Sequence, residues 1–178
     1  MRNKHLFNLT LSAVFLSIGL VLPFLTGQIQ EIGNMLLPMH IPVLFCGLLC
    51  GAGYGGAVGF VLPLLRSLIF GMPILYPAAL AMAFELCTYG LTIGLIYGLF
   101  KKKNAVALYL SLIASMLAGR AVWGIAQIIL LGISGKSFAL SAFLAGAFTS
   151  AIPGIILQLV LIPAVMLALQ KFHLENKE

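Results

Sequence analysis

The sequence predicts an all-α membrane protein, a compact bundle of six transmembrane helices with both termini in the cytoplasm. Hydrophobic residues make up 62% of the 178, charged residues only 8%, and aspartate is absent. A soluble domain carries about 25% charged residues, so this chain cannot cover a water-facing surface and its solvent is lipid. Each helical crossing takes roughly 20 apolar residues. The length therefore holds about six crossings with short connections, as one domain over residues 1–178, with no room for a soluble catalytic domain. The formal charge of +6 is not laid out as a stripe for nucleic acid; the cations gather at the chain ends and in Lys101, Lys102 and Lys103.

The first apolar run, Leu6 to about Leu25, follows a basic start but lacks a small-residue cleavage site, so it reads as a retained helix and not a cleaved signal. A polar connection, Thr26 to Pro38, holds Gln28, Gln30, Glu31 and Asn34. The second segment, about Met39 to Cys50, is too short to cross upright and reads as a tilted, partly buried helix. Glycines at 51, 53, 55 and 56 read as a tight turn between closely packed helices. The third helix runs to about Phe70, interrupted by Pro63, and Gly71-Met72-Pro73 makes the next turn. The fourth spans about Leu75 to Phe100, with Pro77 suited to its first turn, and stops at the three lysines. The fifth runs from about Ala105 to Leu131, before the loop Gly132 to Lys136. The sixth runs from near Phe138 to about Gln170, with Pro153 and Pro163 as expected kinks. Cys46, Cys50 and Cys87 lie in apolar runs without a histidine or second pair beside them, and read as small apolar residues, not metal ligands.

With six spans, one side collects Arg2, Lys4, Lys101, Lys102, Lys103, Lys171 and Lys177, and the other only Lys136 with Glu31. Cytoplasmic loops carry the excess of lysine and arginine, so the first side, with both termini, faces the cytoplasm of a multi-pass cell-membrane protein.

Three ionisable residues remain inside the spans: Arg66, Glu85 and Arg120. Such a charge costs at least ~2.5–3.5 kcal/mol on insertion scales and faces a partner or a wet cavity. At about 1.5 Å per residue, Glu85 lies roughly 15 Å below the outer start of its helix and Arg120 roughly 23 Å up from the inner start of its own. Arg66 lies near the outer end of the third helix. All three fall in the middle or outer half of the bilayer, where a shared cavity open to the outside would hold them. Arg120, Trp123, Gly124 and Gln127 follow the spacing that puts them on one helix face. An arginine, an indole and an amide there suit a planar or carboxylate-bearing solute. Asn34 and His40 from the outer connection, Tyr76 at the start of the fourth helix and Gln158 in the sixth add polar groups. The plainer alternative is a strut in which Glu85 pairs with one arginine. Two arginines against one glutamate leave +1, so an anionic ligand is expected. On the first helix Ala13 and Ser17 have the small-xxx-small spacing that lets helices approach closely in lipid.

The stretch from Leu37 to Val43, Gly47, the glycines from Gly51 to Gly59, and Pro63-Leu64-Leu65-Arg66 resemble the substrate-binding S-components of energy-coupling factor (ECF) vitamin transporters. So do Gly71-Met72-Pro73, Ala83-Phe84-Glu85-Leu86 and Gly119-Arg120. The resemblance covers essentially the whole chain. It implies a vitamin site near the outer face, toppling of the loaded bundle in the membrane, and a partner module of a transmembrane coupling protein and two ATPases. It also implies contact with the coupling protein through a small-residue face, which maps here onto Ala13 and Ser17, while Leu9 departs from the pattern. The nearest subgroup is the pantothenate type; riboflavin, nicotinate, biotin and folate stay open. The chain itself has no phosphate-binding loop, and the resemblance implies no enzyme activity and no cofactor.

Rival classes fit less well. An intramembrane enzyme needs clustered catalytic groups or a nucleophile with its base, and one membrane-depth carboxylate supplies neither. A channel or pump needs a polar pore or proton relay. A purely structural membrane subunit remains as the alternative.

Overall fold

The computed structural model describes residues 3–26, 29, 33, 35–135 and 151–175. Among these, the regular structure is helical, with no strand. Helix α1 covers Lys4–Val21 and tightens into a 3-10 turn over Leu22–Thr26. It is followed by α2 (His40–Cys50), α3 (Ala52–Phe70), a π-helical turn (Leu75–Ala79), α4 (Leu80–Leu99), α5 (Ala105–Ile133) and α6 (Ile152–Glu175). Among the described residues, five apolar segments, starting at Lys4, Ala52, Leu75, Ala105 and Ile152, are long enough to cross a membrane; α2 is shorter.

Local chemistry sets several boundaries. The Asn3 side chain accepts from the His5 amide and the Asn104 side chain from the Ala107 amide, each satisfying an orphan donor at a helix start. Gly71 ends α3 at φ 71° with its amide on the Ser67 carbonyl, a left-handed cap that favours glycine. The expected fourth helix is divided. Tyr76 is extended at φ −120°, ψ 129°, because the ring of Pro77 bars it from the helical region. Regular helix therefore starts only at Leu80. The sixth helix also differs: Ala151 lies in a turn and helix begins at Ile152, which puts Pro153 in the first turn, where a missing amide costs nothing. The expected start near Phe138 lies outside the described residues.

The short second segment is the centre of the bundle. Eight of its 11 residues are buried, and it packs on α1, α3, α4 and α6. An 11-residue helix packed against four others on most of its surface, with Leu49 left exposed, does not need the length of a span. Helix α4 packs on α2, α3 and α5, while α1 lies mainly against α2 and α3. The exterior is apolar, with Leu68, Val106 and Val160 each more than 60% exposed. Away from the helix ends, the charged side chains described within the spans, Arg66, Glu85 and Arg120, are all buried.

At its N-terminal end α1 is fastened by Asn8, which donates to the Cys50 carbonyl at 3.3 Å, and by a hydrogen bond between the Tyr54 hydroxyl and His5 Nδ1.

Candidate functional site

Helices α2, α4 and α5 bring a histidine, a carboxylate and a guanidinium together in the interior. Arg120 Nη1 stands 3.0 Å from Glu85 Oε1, and His40 Nε2 approaches the same oxygen at 3.4 Å. None of the three residues is more than 5% exposed. Tyr89, one turn beyond Glu85 on the same face of α4, closes the group. Its ring meets the His40 ring edge-on at 5.0 Å, and its hydroxyl lies in interaction range of Arg120 and Glu85. Glycine at 119 makes this possible, since a Cβ there would fall 2.2 Å from the Tyr89 ring. Sequence reasoning missed Tyr89, although its i, i+4 spacing from Glu85 placed it beside the carboxylate.

The pairing leaves polar atoms without hydrogen bonds. Nε and Nη2 of Arg120 have no hydrogen-bond partner, nor does either ring nitrogen of His40, and no donor is aligned on Glu85 Oε1. The fully buried carboxamide of Gln158 on α6 is unpartnered at both atoms. A buried polar group left unpaired costs about 1–3 kcal/mol, more when charged, so these atoms mark a place built to meet something polar. Arg120 offers the most specific hint. Nη1 faces Glu85, while Nε and Nη2, which form one side of the planar fork, are buried without a hydrogen-bond partner, and that side of a guanidinium matches a two-oxygen acceptor such as a carboxylate.

The other expected site residues fall in different places. Arg66 is buried but takes no part in the cluster, because its side of α3 faces α1. It donates to the Leu20 carbonyl and lies between Phe24 and Phe70, 5.2 and 5.3 Å from their ring centres. There it serves the last turn of α1, where carbonyls lack helical partners and a cation is favoured. The sequence-level sum of +1 assumed one shared cavity; with Arg66 elsewhere, Glu85 and Arg120 balance. Replacing Arg66 with methionine is expected to cost about 1.5–3 kcal/mol, read as a lower thermal midpoint. An unchanged midpoint would remove this capping role.

Trp123 and Gln127 are half-buried on the Arg120 face of α5, toward its C-terminal end. Tyr76 is 40% exposed, and its hydroxyl donates to the Leu130 carbonyl, tying the α3–α4 connection to the end of α5. Ala13 and Ser17 are exposed on α1, Ser17 donating to the Ala13 carbonyl at 3.0 Å. Asn34 lies outside the described residues. A separate groove of about 480 Å³, lined by Phe15, Ile18, Leu36, Pro42, Phe45 and Leu161 among others, is apolar and offers nothing to hold a polar solute. The polar cluster is therefore the candidate site.

Comparison with known families gives one match: the family described as ECF transporter, substrate-specific component, over residues 7–166. No curated protein and no solved structure matched the chain.

Proposed function

The chain belongs to the family of ECF transporter substrate-specific components, and from that premise we propose that it captures a small carboxylate-bearing vitamin, pantothenate first, between α2, α4 and α5. Membership implies a multi-pass membrane protein, a small-molecule substrate, and association with an energy-coupling module of ATPases and a coupling protein. The finer reading is ours. The short α2 counts as the sixth membrane segment, both termini lie in the cytoplasm of a cell-membrane protein, and residues 1–178 act as one binding domain without catalysis. Ala13 and Ser17 face the coupling protein, and the loaded bundle topples to deliver its ligand. Their exposure on α1 supports the first of these. The burial of Arg66, Glu85 and Arg120 supports the second, since no charge from the middle of a described span has to be dragged through lipid.

One observation carries the ligand class: the unpartnered Nε–Nη2 side of a buried arginine whose remaining nitrogen already faces a carboxylate. That side fits a carboxylate in bidentate geometry, and the cation of thiamine would meet it with like charge. Gln158, with a free donor and a free acceptor, suits the amide of pantothenate. Trp123 and Gln127 extend the Arg120 face outward, and His40 and Tyr76 flank it.

A thermal-shift panel of pantothenate, nicotinate, biotin, folate, riboflavin and thiamine tests this on purified protein. A ligand at a hundred times its Kd adds about 2.7 kcal/mol, equivalent to roughly 5–10 °C for a domain of this size. Pantothenate is expected to give the largest shift and thiamine none. A shift with thiamine alone would overturn the carboxylate reading.

A further inference from the structure

We propose that His40 is a specificity-determining residue that takes up a proton when the anionic ligand binds, so that ligand and proton enter the site together. The inference rests on the carboxylate reading above and extends it. Charge balance is the starting point. Glu85 and Arg120 cancel, and His40 is the third ionisable member of the cluster, 3.4 Å from the shared Oε1. A carboxylate seated on Arg120 would bring the site to −1 among side chains that are at most 5% exposed. Unbalanced charge in such a medium is costly. Protonated His40, with both ring nitrogens able to donate, restores neutrality.

The geometry leaves room for that proton. Neither ring nitrogen of His40 has an aligned hydrogen bond, and Nε2 already points toward the carboxylate that would receive a donated N–H. The edge-on contact with Tyr89 holds the ring in this orientation. Among the described residues, Glu85 is the other group beside His40 that could take up a proton, and the His40→Gln variant separates the two. From α4 the groups facing it are Glu85 and Tyr89, and from α5 Arg120. The buried polar group of α6 is Gln158, which does not titrate. On α3, Arg66 is turned to the Leu20 carbonyl and two phenylalanines. The buried face of α1 carries Ser12 and Gly19, with Lys4 and His5 at the far end. On α2 itself Cys46 and Cys50 follow, neither able to supply positive charge. Linkage is reciprocal: an anion that draws a proton to His40 must bind more tightly where protons are plentiful.

The test measures Kd by calorimetry on the detergent-purified protein, with pantothenate or whichever carboxylate vitamin of the panel gives the larger thermal shift. Kd is expected to fall about tenfold from about pH 7.5 to 5.5. Titrations at about pH 6.5 in two buffers of different ionisation enthalpy are expected to show net proton uptake. In His40→Gln the pH dependence and the uptake should both vanish. In Glu85→Gln the site is already cationic, so the profile should also flatten. If His40→Gln fails to fold, His40→Asn takes its place, because proton uptake by the unaltered protein does not by itself separate His40 from Glu85. A Kd independent of pH without proton uptake, or a pH dependence that survives in His40→Gln, overturns the role of His40 and leaves the carboxylate reading standing. Failure of every carboxylate vitamin to bind at either pH overturns both.

Discussion

Arg120→Met is expected to abolish ligand binding and to destabilise the protein, for two separable reasons. Binding fails because methionine cannot present the Nε–Nη2 fork. Truncating one member of a buried, hydrogen-bonded charge contact costs about 2–5 kcal/mol, at least a thirtyfold loss of affinity and commonly far more. Stability falls because Glu85, 1% exposed, loses its cationic partner. Breaking a buried pair from one side costs about 3–5 kcal/mol. The double variant Arg120→Met/Glu85→Gln distinguishes the two losses. The neutral amide no longer needs a cation, so the thermal midpoint should recover most of the way while binding does not. Arg120→Lys supplies the third point. A lysine ammonium can face Glu85 but cannot fork, so the fold should hold while affinity still drops. The measurements are the thermal midpoint without ligand and Kd for the vitamin selected by the panel. Near-native affinity in the double variant would show that Arg120 is only a strut for Glu85, the plainer of the two sequence readings.

That Glu85 meets an arginine in the interior was legible in the sequence, and which of the two, Arg66 or Arg120, was not. Sequence gives depth well, because span ends are marked by charge, glycine and proline and each helical residue adds a fixed rise. Glu85 and Arg120 come from helices of opposite direction yet reach similar depths, and they meet. Direction around the helix axis is harder. The sequence places Arg66 at a depth like theirs, but its side of α3 faces α1, and no pattern within α3 marks that. Summing formal charges across residues alike in depth therefore overstated the positive charge of the site. His40 posed a different difficulty. Its segment is too short for a span, and only the enclosure of α2 by four other helices carries that histidine against Glu85. Tyr89 was hidden by its type, since a tyrosine in an apolar helix reads as core until the carboxylate one turn away is known to be functional.

Gly90→Ala is expected to damage the fold as severely as any single methyl added to this chain, because α3 and α4 touch there through backbone. A Cβ at Gly90 would lie 2.2 Å from both the carbonyl carbon and the carbonyl oxygen of Gly55. No side-chain rotation relieves such a contact, so the helices must separate. Overpacking of this kind costs about 1–3 kcal/mol and occasionally more, and the upper end is expected where backbone meets backbone. Close approach matters more here than in water, since lipid offers apolar surface of its own and helices associate through packing between small residues. Two other glycines of α3 grade the effect. At Gly56 the new methyl would meet the Leu91 side chain at 2.6 Å, which can turn aside, so a smaller loss is expected. At Gly53 nothing lies within 4 Å, and alanine should be neutral or gain up to about 1 kcal/mol from its higher helix propensity. Thermal midpoints in the order Gly53→Ala, Gly56→Ala, Gly90→Ala, from highest to lowest, would confirm the close backbone contact. Because Glu85 stands five residues before Gly90 on the same helix, separation at the contact also shifts the carboxylate away from His40 and Arg120. Ligand affinity should therefore fall together with stability in Gly90→Ala. A Gly90→Ala protein with native midpoint and native affinity would mean that α3 and α4 do not meet this way in the membrane.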